Sequence, residues 1–275
     1  VLTDLQKAKI DQIRLKLHML EDMLQDLSPA GLMPADTNRF PGSGMNDAQR
    51  FITQSRPDEG IPLIMKFLEN VGSQSDSAVY AKIYLAEAYR QKQEYDKGIG
   101  MIREILGRSG ISIENKAFAL NRMGALMNEK KPFEGNVTDS VDKYSRLCIE
   151  ISKKHNLTEY LALSQNELGN NHAVLQMTDS ALLLITEAAN NFLSIGKYPQ
   201  AINTYINLAR IYAHMGLLAE SRDILNKALK LGNITENRNL FKYVYYSLAD
   251  LSFKTGDYAS AYEYLQIAYD LMNQF

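Results

Sequence analysis

A large apolar residue followed by Ala or Gly returns five times, as Leu85-Ala86, Met123-Gly124, Leu168-Gly169, Leu208-Ala209 and Leu248-Ala249, at spacings of 38, 45, 40 and 40 residues. Self-similarity at such a period specifies stacked supersecondary units, because one unit alone cannot bury its apolar face. Ten residues beyond each large residue come Tyr95, Phe133, Thr178, Leu218 and Tyr258, bulky in every copy but the third. Thirteen beyond come Gly98, Ala181, Ser221 and Ala261, all small; Ser140 takes this slot in the second copy if four residues are inserted around Gly135 to Thr138. Ile102, Tyr144, Ile185, Leu225 and Leu265 follow a turn later, then Ile105, Leu147, Ala188, Ala228 and Ala268. Small residues fit where two antiparallel helices approach, and large ones fill the space between pairs. Gly216 and Gly256 punctuate apolar-periodic segments, Gly196 stops a helix just before Pro199 opens another, and no segment sustains a period of two. The expectation is an all-α chain with almost no sheet.

These residues resemble the tetratricopeptide repeat, whose helix A carries a small residue and whose helix B opens on an aromatic and carries another small residue. The last copy matches best, with Tyr245, Leu248, Ala249, Gly256, Tyr258, Ala261, Leu265 and Ala268 in the family's positions. The period of about 40 resembles the longer variants of kinesin light chains and bacterial regulators, and no copy ends on the consensus proline. The resemblance spans residues 79 to 275 and implies a right-handed superhelical α-α solenoid that binds a protein or peptide in its concave face without catalysis. Carried over position by position, that face takes Tyr80, Glu87 and Arg90 from the first full copy and Asn121, Asn128 and Glu129 from the second. The third gives Asn166 and Asn170, the fourth Asn203, Arg210 and His214, the fifth Tyr243, Tyr246, Asp250 and Phe253. Asparagine donates and accepts at once, so a line of amides suits a peptide backbone or a glycan better than a bare anion. A solvated helix face is the competing account of the same residues. The family's carboxylate clamp would open with Lys and Asn where Ile83 and Glu87 stand, so that subtype is rejected.

Residues 1 to 27 read as one helix with a seam at Ile10, Ile13, Leu17, Leu20, Leu24 and Leu27. This seam is expected to pack on the first helices of the solenoid, with pairing to a second chain as the alternative. Residues 28 to 46 hold Pro29, Pro34, Pro41, Gly31, Gly42 and Gly44 and read as a linker. Residues 47 to 70 form a degenerate helix pair, whose Arg56-Pro57-Asp58 turn resembles the first repeat of extracytoplasmic arrays in bacterial membrane-bound regulators. That resemblance implies the sensory or interaction portion of a larger bacterial signalling protein, with the periplasm favoured and the cytoplasm as the alternative. Tyr262, Leu265, Tyr269, Met272 and Phe275 give the last helix an apolar face with no polar cap after it, so either more chain or a dimer partner is expected to cover it.

Against 30 basic residues stand 32 acidic ones, spread along the chain, which offers no footprint for nucleic acid. No apolar run is long enough to span a membrane. Cys148 is the sole cysteine and reads as a small buried hydrophobe. His18, His155, His172 and His214 are too far apart in sequence for a short metal-ligand spacing, and His172 sits where the family packs a Tyr, which favours a core histidine. No nucleophile, base and oxyanion-stabilising group converge in the sequence, so no enzyme, cofactor or metal site is expected. A small ligand, such as a peptide signal or oligosaccharide, is the alternative to a protein partner; a deep pocket lined by Tyr243, Tyr246 and Phe253 would mark it.

Overall fold

The structure is a computed structural model that describes residues 4–26, 44–73, 75–130, 136–235 and 240–273. These residues form thirteen helices and no strand: α1 (Asp4–Asp26), α2 (Met45–Thr53), α3 (Pro57–Asn70), α4 (Asp76–Gln91), α5 (Tyr95–Leu106), α6 (Ile113–Glu129), α7 (Asn136–Lys154), α8 (Thr158–Val174), α9 (Thr178–Ser194), α10 (Tyr198–His214), α11 (Leu218–Thr235), α12 (Phe241–Lys254) and α13 (Tyr258–Asn273). Two compact units contain them. Ser28–Met177 holds α2 to α8, and Val1–Leu27 with Thr178–Phe275 holds α1 and α9 to α13. Most of the segment read as a linker, 28 to 46, lies outside the described residues.

Local chemistry starts and stops the helices as the sequence demands. Ser75 and Ser112 cap α4 and α6 through their hydroxyls, which accept from the backbone N–H of Ala78 at 3.1 Å and of Asn115 at 3.4 Å. Prolines open α3 and α10, where a missing N–H costs nothing. The turns close with one repeated bond, from an N–H just past the helix to the carbonyl five residues earlier: Glu94 to Tyr89, Met177 to His172, Leu217 to Tyr212 and Asp257 to Ser252, all 2.8–2.9 Å. The residue before that donor is left-handed, with φ of +77° at Gly216 and +80° at Gly256, but +59° at both Gln93 and Gln176. The glycine seen in two copies therefore marks a backbone need that all four share.

The small-residue slots are where helices touch. Gly98 leaves no room: a Cβ there would lie 2.7 Å from Leu126 Cδ2 and 3.0 Å from the Ala86 carbonyl oxygen. Ala181, Ser221 and Ala261 fill the same slot and are buried. Gly98→Val is expected to cost about 2–3 kcal/mol, because the backbone of α4 cannot yield; a urea midpoint within error of the unchanged chain would refute this close contact.

In the second copy the slots differ by one residue from the sequence alignment. Val141, Ser145, Cys148 and Ser152 are the buried stripe of α7, while Leu147 is exposed and Ser140 and Tyr144 only partly covered. The insertion before α7 is thus five residues, not four. Gly124 packs accordingly, its Cβ position 3.2 Å from Ser145 Oγ. Cys148 is buried as expected, its thiol 3.2 Å from the Ala117 carbonyl and pushed up by burial.

The largest departure concerns α1. Its seam packs on the last helix pair of the same chain, not on the first: Ile13, Leu17 and Leu20 form one core with Ala249, Ala261 and Leu265. Tyr246, Phe253, Tyr258 and Met272 border it. The reason is geometric. Ala249 and Ala261 leave a shallow trough between α12 and α13, and an amphipathic helix with leucines at three- and four-residue spacing fills it. Lys16 over the Tyr262 ring, at 4.6 Å, adds a contact at the rim. Of the apolar face expected to need further chain or a dimer partner, Leu265 and Met272 pack with α1, Tyr262 and Tyr269 are exposed, and Phe275 lies outside the described residues.

Candidate helix A binding faces

In the unit Ser28–Met177, helices α4, α6 and α8 present two layers. The first is aromatic. Tyr80, Tyr84, Phe118 and Tyr160 stack with ring centroids 5.1–5.7 Å apart, and all are buried. Gln49 of α2 donates to the Tyr80 hydroxyl at 3.0 Å, and burial, aided by Tyr80, raises the Tyr84 phenol well above its ordinary range.

The second layer is ionic. Glu87 is fully buried on α4 and accepts from Arg90 Nε at 2.9 Å and Nη2 at 2.7 Å, from Arg122 Nη1 at 3.1 Å and from Gln91 Nε2 at 3.3 Å. Four donors saturate a carboxylate. Burial alone would raise its pKa, but Arg90 and Arg122 hold it below 4.5. Arg90 also donates to Glu129 of α6. Arg122 donates to Asn121 Oδ1 from Nε at 3.1 Å and Nη2 at 2.5 Å, and Asn121 Nδ2 donates to Ser164 Oγ of α8 at 3.1 Å. One chain of hydrogen bonds thus ties three successive A helices together.

The remaining carboxylates are less content. Burial raises both Glu129 and Glu167 above 4.5; the arginines oppose it, but Glu87 also pushes both up, and Glu129 pushes Glu167 up as well. The three acids therefore pull stability in opposite directions with pH. Glu87, depressed, contributes stability that is complete above about pH 4.5 and lost as pH falls through its folded value. Glu129 and Glu167, raised, bind protons more readily folded than unfolded, so stability rises as pH falls through their folded values. The thermal midpoint is expected to climb as pH falls from neutrality towards the ordinary carboxylate range, where Glu129 and Glu167 take up protons, and to fall again once pH drops through the lower folded value of Glu87. Calorimetry across that range checks it: a climb that survives in the Glu129→Gln, Glu167→Gln double variant would assign it elsewhere.

The sequence-derived residues divide accordingly. Glu87, Arg90, Asn121 and Asn166 are buried, and the first three are joined in the network above. Asn128 and Asn170 are partly accessible, although Asn170 Oδ1 is itself sealed from solvent without a donor among the described residues. Arg122 and Glu167 belong to the same face but were not selected from the sequence. Each follows a selected asparagine directly, and a one-residue rotation of the face would have found both. His172 is a core histidine, with Nε2 2.8 Å from Asp142 Oδ1.

In the unit holding α9 to α13, Arg210 and His214 are exposed on α10, with Arg210 donating to Asn207 Oδ1 at 3.1 Å. Asn203 is half-buried on the same helix. Asp250 pairs with Lys254 at 2.7 Å, and the half-buried Tyr243 phenol is pushed up to about 12 by burial. Tyr246 and Phe253 face α1 and are part of its packing. Among the described residues no three His, Cys, Asp or Glu side chains gather as metal ligands would, and no helix is long and apolar enough to cross a membrane.

No protein-family model matches the chain, and no curated protein does. Solved structures do. A Rap protein complexed with Competence and Sporulation Factor superposes with a TM-score of 0.64 at 13% identity, over 95% of this chain and 76% of its own. Aspartyl phosphate phosphatase F from Bacillus subtilis gives 0.60 at 14%, over 100% and 76%. The nearly identical TPR-like repeats of a Podosopora anserina putative kinesin light chain give 0.56 at 14%, over 73% and 98%. Identities this low speak to architecture. Together with the helix pairs and their shared slots, they make this chain an all-α repeat protein of the tetratricopeptide-like fold.

Proposed function

We propose that the chain is a non-catalytic scaffold that binds a protein or peptide on the helix A faces of its repeats. The observation that carries this reading is the composition of the accessible positions on those faces. Asn128 and Asn170 in one unit, and Asn203, Arg210, His214, Tyr243 and Asp250 in the other, are hydrogen-bonding groups held on helices whose cores are fully packed. Rigid helices carrying two-way amides are suited to an extended backbone, because little side-chain freedom is lost on binding. The Rap protein, of similar fold, is complexed with Competence and Sporulation Factor, which supports a binding role. The finer reading is a sensory or interaction portion of a bacterial signalling protein outside the cytoplasm. It draws on the Arg56-Pro57-Asp58 run that caps and opens α3.

The test is affinity capture from an extract of the source organism with the full chain and with two double variants, Asn128→Ala with Asn170→Ala and Arg210→Ala with His214→Ala. Recovery of partner is expected to fall at least about tenfold for one of them. Equal recovery by all three would remove these faces from the reading.

A further inference from the structure

The helix that covers α12 and α13 docks in the register of a repeat. Within the same unit, α12 sits on α10 and α11 through Val244, Leu248 and Leu251, which share a core with Ala209, Leu225 and Ala228. α1 sits on α12 and α13 through Ile13, Leu17 and Leu20, which share a core with Ala249, Ala261 and Leu265. The aliphatic residues stand four and then three apart in both helices, and Ala249 and Leu265 are Ala209 and Leu225 advanced by one period of 40 residues. α1 therefore takes the place of a helix A, although it belongs to no helix pair. Two differences set it apart. Leu248 is followed by Ala249, against which α13 closes, whereas Leu17 is followed by the exposed His18, too large for that slot. Leu15 and Met19, on the side of α1 away from the trough, are 60% and 55% exposed. An internal helix A is gripped from two sides; among the described side chains, α1 is held from one.

We propose that the trough between α12 and α13 is a docking site for an amphipathic helix of a partner protein, and that α1 is its exchangeable occupant in cis. The chemistry of the partner is read from α1. Aliphatic residues at i, i+4 and i+7 face the two alanines, and cations at i+1 and i+3 lie over rings, as Arg14 does over Phe253 at 5.8 Å and Lys16 over Tyr262 at 4.6 Å. An invading helix of this kind replaces the contacts that α1 gives up, and release of α1 breaks no helix pair. Because α1 is tethered to its site, it lowers the partner's apparent affinity without abolishing it. The trough goes beyond the scaffold reading above, whose accessible amide positions lie elsewhere, so either can fail without the other.

The probe is a fluorescent peptide of residues 4–26, with its Leu17→Asp form as control, titrated into the full chain and into the full-length Leu17→Asp variant. Anisotropy is expected to show binding to both chains, at least about tenfold tighter to the variant, whose own α1 no longer competes, and none by the control peptide. In the unmodified, isotopically labelled chain, excess peptide is expected to speed hydrogen exchange in α1 while α12 and α13 stay protected. That measurement needs no variant and decides the matter if Leu17→Asp fails to fold. Binding to neither chain overturns the trough as a helix site. Binding to the variant alone, with exchange in α1 unchanged, makes α1 a permanent cap and overturns the proposal too. Equal affinity for both chains does the same, because the peptide then binds elsewhere. A dimer of the unmodified chain that excess peptide dissolves would overturn the partner in favour of α1 from a second copy.

Discussion

Arg122→Met is expected to cost about 3–5 kcal/mol, because it leaves the buried Glu87 carboxylate with one guanidinium and takes both donors from Asn121 Oδ1. Methionine keeps the apolar stem but is three heavy atoms smaller, so the loss combines charge, hydrogen bonding and a small cavity. The chain holds two compact units and need not unfold in one step. Amide hydrogen exchange resolved by helix is therefore the right measurement, with protection falling in α4, α6 and α8 and holding in α10 to α13. Glu87→Met in the same background should return part of the loss, since an apolar pair is often no worse than the buried ions it replaces. A loss under about 1 kcal/mol would show that water enters this layer freely.

Leu17→Asp is expected to release α1 from the α12–α13 trough. Ile13, Leu17 and Leu20 are the buried residues of its seam among the described side chains, and an uncompensated carboxylate at Leu17 removes the reason for docking there. The loss is expected to be about 3 kcal/mol in the unit that holds α1. The readouts are exposure of Tyr246 and Phe253 to solvent quenching and new binding of an apolar dye by the bared Ala249–Leu265 surface. Unchanged dye binding together with an unchanged midpoint would mean that α1 does not hold that trough closed.

The slots at Gly98, Ala181, Ser221 and Ala261 were legible because close backbone approach admits only small residues, whatever the context. The second copy slipped by one because its insertion lies where no apolar period constrains the count; the buried stripe through Val141 and Cys148 restores it. The ionic layer was only half legible. Glu87 and Arg90 were placed on the correct face, but residue type alone reads a charged pair as solvated, and burial depends on Arg122 arriving from a helix more than thirty residues away. The partner of α1 was illegible for a related reason. A leucine seam states that a helix will be covered along one side and is silent about which trough covers it.

The contact between α1 and α13 joins residues as distant in the chain as Leu17 and Leu265. During synthesis α1 leaves the ribosome long before its trough exists, so its leucines stay unsatisfied while the intervening helices form and stack. Closing so long a loop is slow compared with the local hairpins. Docking of α1 is therefore expected to be the last event in maturation, and for that interval the nascent chain presents an amphipathic helix of the kind that chaperones hold.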